Sequence, residues 1–144
     1  MSKGANISNV IEGKAFYKAR EIASLKDLIK QSRELYGDSA AFQFRDTPGS
    51  DTITKSYNQF SYDIDCFGSV LNDLGLNNPH IAIIGENRYE WVVSYFSTVN
   101  GAGLAVPLDR AMPANELEPV LLRGRVDILI YSNSFHSIVK DIAA

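Results

Sequence analysis

The spacing of apolar residues in the first half of the chain predicts a helix, a β-hairpin and a long second helix. The first helix begins after Ser24, whose hydroxyl suits an N-cap position. Ala40–Arg45 and Thr52–Lys55 flank a turn cluster, so they predict the two strands of a hairpin. Ser56 then caps the long helix, and Gln59 completes a capping box. The apolar stripes that set the helical spacing are Leu25, Leu28, Ile29 and Leu35, followed by Phe60, Ile64, Phe67, Leu71 and Leu74.

Three short apolar runs in the second half predict a parallel sheet. They are Ile81–Ile84, Leu104–Val106 and Ile128–Tyr131, and helices are predicted in Pro113–Arg125 and Ser134–Ile142. The runs are continuous rather than alternating, so we expect helices to cover both faces of the sheet. The prediction is a three-layer α/β fold with a mainly parallel sheet (βαβαβ), preceded by a helix, a β-hairpin and a long helix.

The segment between the first two parallel strands predicts a capped helix. Asn87 is the expected N-cap and Glu90 its capping-box partner. Trp91 and Tyr95 lie at helical spacing and are expected to pack inward as core. Asn100–Gly103 follows the helix rather than opening one, so its glycines indicate a C-terminal cap and close helix–sheet packing.

The junction between the first parallel strand and its helix is the first candidate site. Gly85, Glu86 and Asn87 lie where helix amides attract anions, beyond the carboxyl end of a strand. The junction lacks the glycine spacing of a dinucleotide motif or a P-loop. A structural role is therefore favoured for these three residues.

A basic residue follows the second parallel strand and is the second candidate. Arg110 comes directly after Pro107-Leu-Asp109, at a strand end where a cation is well placed for a phosphate. A solvated surface charge explains the same residue without any ligand, and this interpretation is favoured.

No set of catalytic or metal-binding residues is evident. The sequence contains no Gly-x-Ser-x-Gly, Cys-x-x-Cys or His-x-x-x-His pattern. His80 and His136 are far apart and are expected to be ordinary surface or half-buried residues. Cys66, the single cysteine, is expected to be a small buried side chain. Three aspartates of the long helix are expected on its solvated face: Asp63, Asp65 and Asp73.

Composition narrows the class of protein. The 144 residues are 45% apolar and 22% charged, which is typical of a globular protein. The net charge is -3 and no basic stripe is present, and this charge distribution argues against a nucleic-acid partner. No apolar run approaches the roughly 20 residues of a transmembrane span. A single cysteine and the lack of an apolar leader favour the cytoplasm. Residues 1–20 have no clear period and are expected to form an irregular arm.

Residues 17–132 together resemble the N-terminal part of the AMP-binding, adenylate-forming enzymes, in the long-chain fatty acid–CoA ligase branch. The linked order of Gly-Glu-Asn, Glu-Trp and Val-Pro-Leu-Asp makes the resemblance specific, whereas each motif alone is weak. The segments that carry it are Ser24–Leu28, Tyr36–Phe42, Ser56–Phe60, Leu74–Leu76, Ile81–Asn87, Tyr89–Tyr95, Gly101–Asp109 and Glu116–Leu117.

The resemblance implies a two-step reaction in a parent enzyme of fatty acid metabolism. A carboxylate attacks the α-phosphate of ATP to give an acyl-adenylate, and CoA then displaces AMP; magnesium and a lysine on a mobile C-terminal domain assist. In this family the phosphate-binding loop and the catalytic lysine lie downstream of the part matched by this chain. The resemblance therefore implies that residues 21–144 are a truncated N-terminal subdomain, inactive alone and without bound cofactor. It also puts Arg110 nearest to a basic residue that approaches the CoA nucleotide in some relatives.

Other interpretations stay open. The chain is equally compatible with a free-standing α/β binding or interaction module, or with a fragment of an aryl-CoA ligase or a peptide-synthetase adenylation domain. The expected partners are the remainder of the parent chain, a fatty or other carboxylic acid as the parent's substrate, and a second copy through exposed apolar surface.

Overall fold

The computed structural model describes residue 13 and residues 16–142. Residues 16–24 form neither helix nor strand, and the rest of the predicted N-terminal arm lies outside the described residues. The helices are α1 (Leu25–Tyr36), α2 (Tyr57–Asp73), α3 (Tyr89–Ser97), α4 (Ala114–Arg123) and α5 (His136–Ile142). The strands are β1 (Ala40–Phe44), β2 (Ile53–Ser56), β3 (His80–Ile84), β4 (Leu104–Pro107) and β5 (Ile128–Tyr131).

The strands form two separate sheets. β1 and β2 pair antiparallel as the predicted hairpin. The other sheet is parallel, with β3 between β4 and β5. The chain therefore runs from β3 to β4 on one side of it, and then crosses back over β3 to β5 on the other side. Since parallel crossovers are nearly always right-handed, these opposite directions put α3 and α4 on opposite faces. The predicted α/β fold with a parallel sheet is confirmed.

The core is built around α2, which packs against α1, α3 and the parallel sheet. One cluster joins Phe60 and Ile64 of α2 to α1, α3 and the hairpin, and Phe60 meets Phe42 at a centroid distance of 4.8 Å, edge to face. A second cluster joins Leu71 to Ile81 of the central strand. β3 is buried from residue 81 to residue 84, as its continuous apolar run predicts, while β4 and β5 are partly exposed edge strands.

The ends of α1 and α2 follow local signals. The hydroxyl of Ser24 accepts from the amide of Asp27, and that of Ser56 accepts from the amide of Gln59. The Gln59 side chain does not complete the predicted capping box with Ser56, because it donates to Asp63 instead, at 2.7 Å. The serine caps are thus confirmed.

The predicted start of α3 is wrong. The N-cap is Arg88, with no side-chain cap, and Asn87 lies exposed one residue earlier. Glu90 contacts Arg88 through its carboxylate at 3.2 Å, rather than capping the helix with Asn87. The helix begins at Tyr89 because this ring is buried between the hairpin and α2, where tertiary packing outweighs a capping box.

Burial on α2 differs from expectation at two residues. Cys66 is exposed rather than buried, since it lies about 200° around the helix from the buried Ile64. Asp63 is not simply solvated; its carboxylate is half-buried and hydrogen-bonded to other elements. Asp65 and Asp73 are exposed as expected.

The turn after α3 requires glycine for two reasons. Residues Thr98–Ala102 form a single π turn, and Gly101 has φ 136° within it. A Cβ on Gly103 would collide with the carbonyl oxygen of Pro79, which accepts a hydrogen bond from Leu104 at the start of the β4 pairing. The structural interpretation of this glycine run, as a cap with close helix–sheet packing, agrees with the structure.

The last two helices, α4 and α5, are slightly shorter than the segments predicted to be helical. Pro119 lies inside α4 at its sixth residue, and Leu117 is the buried anchor of that helix at 2% exposure. The predicted final helix begins as a 3₁₀ turn (Asn133–Phe135) before α5. None of the helices among the described residues is both long and apolar enough to cross a membrane.

Candidate functional site

The carboxyl ends of β3 and β5 open into a cavity of about 230 Å³. Its floor is apolar, with Ile84 and Ile130 from the strands and Trp91 from α3, and its rim is polar. Open parallel sheets bind their ligands beyond the carboxyl ends of the strands. This strand-end cavity is therefore the candidate site.

Glu86 connects the two strand-end loops across this cavity. The hydroxyl of Ser134 donates to Oε1 of Glu86, and Ser134 lies 2.9 Å from the hydroxyl of Ser132. Gly85 lets the loops approach, since a Cβ there would lie 3.3 Å from Cβ of Ser132. The loop after β3 and the loop after β5 are thus joined by one short polar network.

Glu86 carries a permanent negative charge at neutral pH. Hydrogen bonds from Ser134 and Ser132, with a smaller effect of the charge of Arg110, lower the pKa of Glu86 to about 2. A carboxylate that is so weakly basic is a poor general base at neutral pH. The network therefore positions the loops and does not move protons.

Arg110 lies in the exposed turn after β4, near enough to Glu86 for its charge to affect that carboxyl. Asp109 shapes this turn, because its Oδ1 accepts from the amide of Ala111 at 2.9 Å. Pro107 is the last residue of β4 and pairs with Ile83. The loops after β3 and β4 therefore bring charged residues to the same end of the sheet, where the loop after β5 contributes serine hydroxyls.

The remaining predicted site residues lie along the start of α3. Trp91 is half-buried and stacks on Tyr95 with centroids 5.7 Å apart. Glu90 lines the cavity, and its backbone carbonyl accepts from the hydroxyl of Ser94 at 2.7 Å. Asn87 is exposed at the loop and does not line this cavity.

A second polar network, which the sequence did not indicate, lies between the hairpin, α2 and α3. The hydroxyl of Tyr89 donates to Asp63 at 2.7 Å, and Lys55 approaches the same carboxylate at 3.4 Å. Burial opposes ionisation of Asp63, but hydrogen bonds from Tyr89 and Gln59 outweigh it and lower the pKa of Asp63. The pKa of Tyr89 is raised, mainly by burial of its hydroxyl and secondly by the hydrogen bond to Asp63.

The two histidines lie as predicted, with His80 half-buried and His136 exposed. The amide of His80 donates to Asp127, and its ring Nδ1 lies 2.6 Å from the carbonyl of Gly124. His136 lies 3.2 Å from the hydroxyl of Tyr131 on the surface. Among residues 13 and 16–142, no three His, Cys, Asp or Glu side chains are grouped so that they could hold a metal ion.

The residues around the strand-end cavity do not fit a nucleoside triphosphate with its magnesium ion. The charged residues that line the cavity are Glu86, Glu90 and Arg88, and Arg88 is already paired with Glu90 at 3.2 Å. The ionised Glu86 repels phosphate, and the nearby Arg110 is exposed. The positive end of α3 has Glu90 in its first turn. The lining of this cavity therefore offers no cation that is not already paired, and residues 13 and 16–142 contain no cluster of metal ligands for the magnesium.

The chain is similar to known proteins over most of its length. A profile of the family described as "AMP-binding enzyme" matches residues 29–143. A long-chain-fatty-acid–CoA ligase of Rattus norvegicus, ACSBG2, is 29% identical over 113 residues, which are 76% of this chain and 16% of the relative. The chain thus spans less than a fifth of the length of that relative.

Solved structures share the fold. The anthranilate CoA ligase AuaEII, in complex with anthranoyl-AMP, has a TM-score of 0.74 at 20% identity, over 85% of this chain and 23% of that one. A putative long-chain-fatty-acid CoA ligase from Rhodopseudomonas palustris has a TM-score of 0.73 at 17% identity, over 83% and 29%. The N-terminal domain of FACL13 from Mycobacterium tuberculosis has a TM-score of 0.72 at 19% identity, over 84% and 30%.

Proposed function

Because the chain belongs to the AMP-binding enzyme family, we propose that it is the N-terminal scaffold portion of an ATP-dependent acyl-CoA ligase. The family match over residues 29–143 carries this proposal. In the parent reaction a carboxylate attacks the α-phosphate of ATP, and pyrophosphate leaves. The thiol of CoA then attacks the acyl carbonyl, and AMP leaves with the thioester formed.

The proposed role of the chain is to support this reaction and not to perform it. The poor fit of the strand-end cavity to magnesium and a triphosphate supports this role. The groups that hold ATP and activate the carboxylate then belong to other parts of the parent enzyme. Residues 21–144 form the subdomain in this proposal, and residues 1–20 form its N-terminal arm.

A fatty acid is the proposed substrate class of the parent. The 29% identity to a long-chain-fatty-acid–CoA ligase supports it. A cytoplasmic location also belongs to the proposal and is supported by the use of a single cysteine.

Arg110 is the proposed contact to the CoA nucleotide. Its exposed position at the carboxyl end of β4 supports this role, because a guanidinium there can reach a phosphate. In the whole enzyme, Arg110→Ala should raise the KM for CoA at unchanged KM for ATP, and an unchanged KM for CoA would contradict this role.

Exposed apolar residues on α2 are the proposed contact to the rest of the parent enzyme. Tyr62, Val70 and the C-cap residue Leu74 lie eight and four residues apart and are 63%, 57% and 56% exposed. With Cys66 between them they form one stripe on the helix. Association with a second copy is the competing use of this stripe, and sedimentation at rising concentration separates the two, since only self-association depends on the concentration of this chain alone.

Calorimetric titration of the 144-residue chain tests the scaffold role. The proposal predicts no heat of binding with ATP–magnesium and a long-chain fatty acid, and no pyrophosphate release.

A direct test of the family branch is the coding sequence that follows residue 144, which should encode a Thr-Ser-Gly-Thr-Thr-Gly-x-Pro-Lys-like loop. A stop codon there would favour a free-standing module instead.

A further inference from the structure

A groove between α1, α2 and the π turn carries an unusual concentration of positive charge. It has a volume of about 600 Å³, and three cations of α1 line it: Lys26, Lys30 and Arg33. The lining contains a single acidic residue, Asp65. The chain as a whole has a net charge of -3, so this basic groove is opposite in sign to the protein that surrounds it.

The spacing of the three cations places them along one edge of the groove. Lys26, Lys30 and Arg33 are four and three residues apart, so they share a face of α1 and span about 10 Å along its axis. Lys30 is paired only weakly, with Glu34 at 4.0 Å, and both side chains are mostly exposed. The three cations are therefore available to an anion.

The opposite wall holds a buried acceptor that the protein does not satisfy. Oδ1 of Asn100 is fully buried and has no hydrogen-bond partner among the described residues. An unsatisfied buried polar atom costs on the order of 1–3 kcal/mol, so it needs an explanation. Asn100 lines this groove, and a 180° rotation of its amide turns Oδ1 toward the groove, where it can accept from a hydroxyl; in the unrotated amide the NH2 group can donate to a phosphate oxygen.

The groove is separate from the strand-end cavity. Asn100 and its neighbour Gly101 precede β4, and Leu104 pairs with Pro79 and His80 at the amino end of the sheet. Glu86 and Arg110 lie at the opposite, carboxyl end. A ligand in the groove would thus leave the candidate site of the parent enzyme free.

From these observations we propose that the groove between α1, α2 and the π turn binds a phosphate monoester that also carries a hydroxyl. The phosphate contacts the cations of α1, and the hydroxyl meets Asn100. A volume of about 600 Å³ lies within the usual range of small-molecule sites. The same chemistry occurs in soluble sugar or glycerol phosphates and in the headgroups of phosphoinositides, whose inositol ring carries a phosphate monoester beside free hydroxyls.

Nuclear magnetic resonance titration of the 144-residue chain with sn-glycerol 3-phosphate tests the soluble source. The expected result is saturable shifts of amides in α1 and of the Asn100 side chain. Flotation with vesicles of phosphatidylcholine, with and without phosphatidylinositol 4-phosphate, tests the lipid source. Binding to either probe that depends on the groove residues supports the proposal and identifies the source.

Two charge reversals provide the matched comparison. Lys30→Glu should weaken binding by about tenfold or more, since it replaces a charge-assisted hydrogen bond by repulsion. Lys140→Glu makes the same change on the exposed α5 and should alter binding by less than about twofold. Equal losses in both variants would indicate an effect of net charge alone and would overturn the proposal, as would the absence of binding to either probe.

Asn100→Ala tests the second contact independently. The variant should bind the probe several-fold more weakly, yet unfold at an equal or higher temperature, because it removes an unsatisfied acceptor. Wild-type affinity in Asn100→Ala would overturn the assignment of Asn100. Since the groove lies away from the strand-end cavity, these results stand whether or not the parent is an acyl-CoA ligase.

Discussion

Replacement of Tyr89 by phenylalanine isolates the polar network that joins α3 to α2 and the hairpin. The hydroxyl of Tyr89 donates to the ionised Asp63 at 2.7 Å, while its ring packs against Phe44 and Phe42. Tyr89→Phe keeps the ring and removes only the hydrogen bond. The measured change in stability therefore reports this one contact.

The expected loss is about 1–2 kcal/mol. Hydrogen bonds to charged groups contribute roughly 1.5–3 kcal/mol. Asp63 keeps two other partners, Gln59 at 2.7 Å and Lys55 at 3.4 Å, so the carboxylate is not left alone and the lower part of this range applies. For a chain of this length the loss corresponds to a melting temperature lower by roughly 3–8 °C.

Urea unfolding followed by circular dichroism measures the difference. Tyr95→Phe is the matched control, since Tyr95 is half-buried on the same helix and stacks on Trp91 away from Asp63. The control should change the free energy of unfolding by less than about 0.5 kcal/mol. If Tyr89→Phe is no more destabilising than Tyr95→Phe, the bond to Asp63 does not stabilise the fold and the reasoning fails.

The same variant has a predicted pH dependence. The pKa of Asp63 is lowered in the folded state, so its stabilising effect is present above its unfolded pKa of about 3.9 and is lost as the pH falls through the folded value. Tyr89→Phe removes a hydrogen bond that lowers this pKa. The difference in stability between wild type and Tyr89→Phe should therefore shrink as the pH falls below about 4, and a difference independent of pH would argue against an ionised acceptor.

Three further predictions follow from local geometry. Gly103→Ala should cost more than about 3 kcal/mol, because its Cβ would collide with a carbonyl oxygen, whereas Gly13→Ala, with open space around it, should be nearly neutral in the same urea assay. Glu86→Gln should flatten the loss of stability between about pH 4.5 and pH 2, since the folded-state pKa of Glu86 is about 2; an unchanged acid transition would contradict the serine network. Cys66 should react fully with a thiol reagent in the native state because it is exposed, and a requirement for denaturant would show that it is covered.

Features set by neighbouring residues were predictable from the sequence. Ser24 and Ser56 cap their helices through contacts that span three residues, so they were found without knowledge of the fold. The three parallel strands were found because a continuous apolar run is typical of a buried parallel strand.

Features set by distant residues were not predictable in the same way. Glu86 and Ser134 are 48 residues apart and meet only because β3 and β5 are neighbours in the sheet. The start of α3 depends on the burial of Tyr89, which overrides the capping pattern of Asn87. Cys66 was a different error, because its angle around α2 relative to Ile64 already indicated an outward position.

The central claim is that this chain supports an adenylate-forming reaction whose working groups lie elsewhere in the parent enzyme. ATP–pyrophosphate exchange by the purified 144-residue chain, with magnesium and a long-chain fatty acid, tests it most directly. The account predicts exchange no faster than in buffer alone. Sustained exchange that requires the fatty acid would contradict it, since the adenylation step would then reside within these residues.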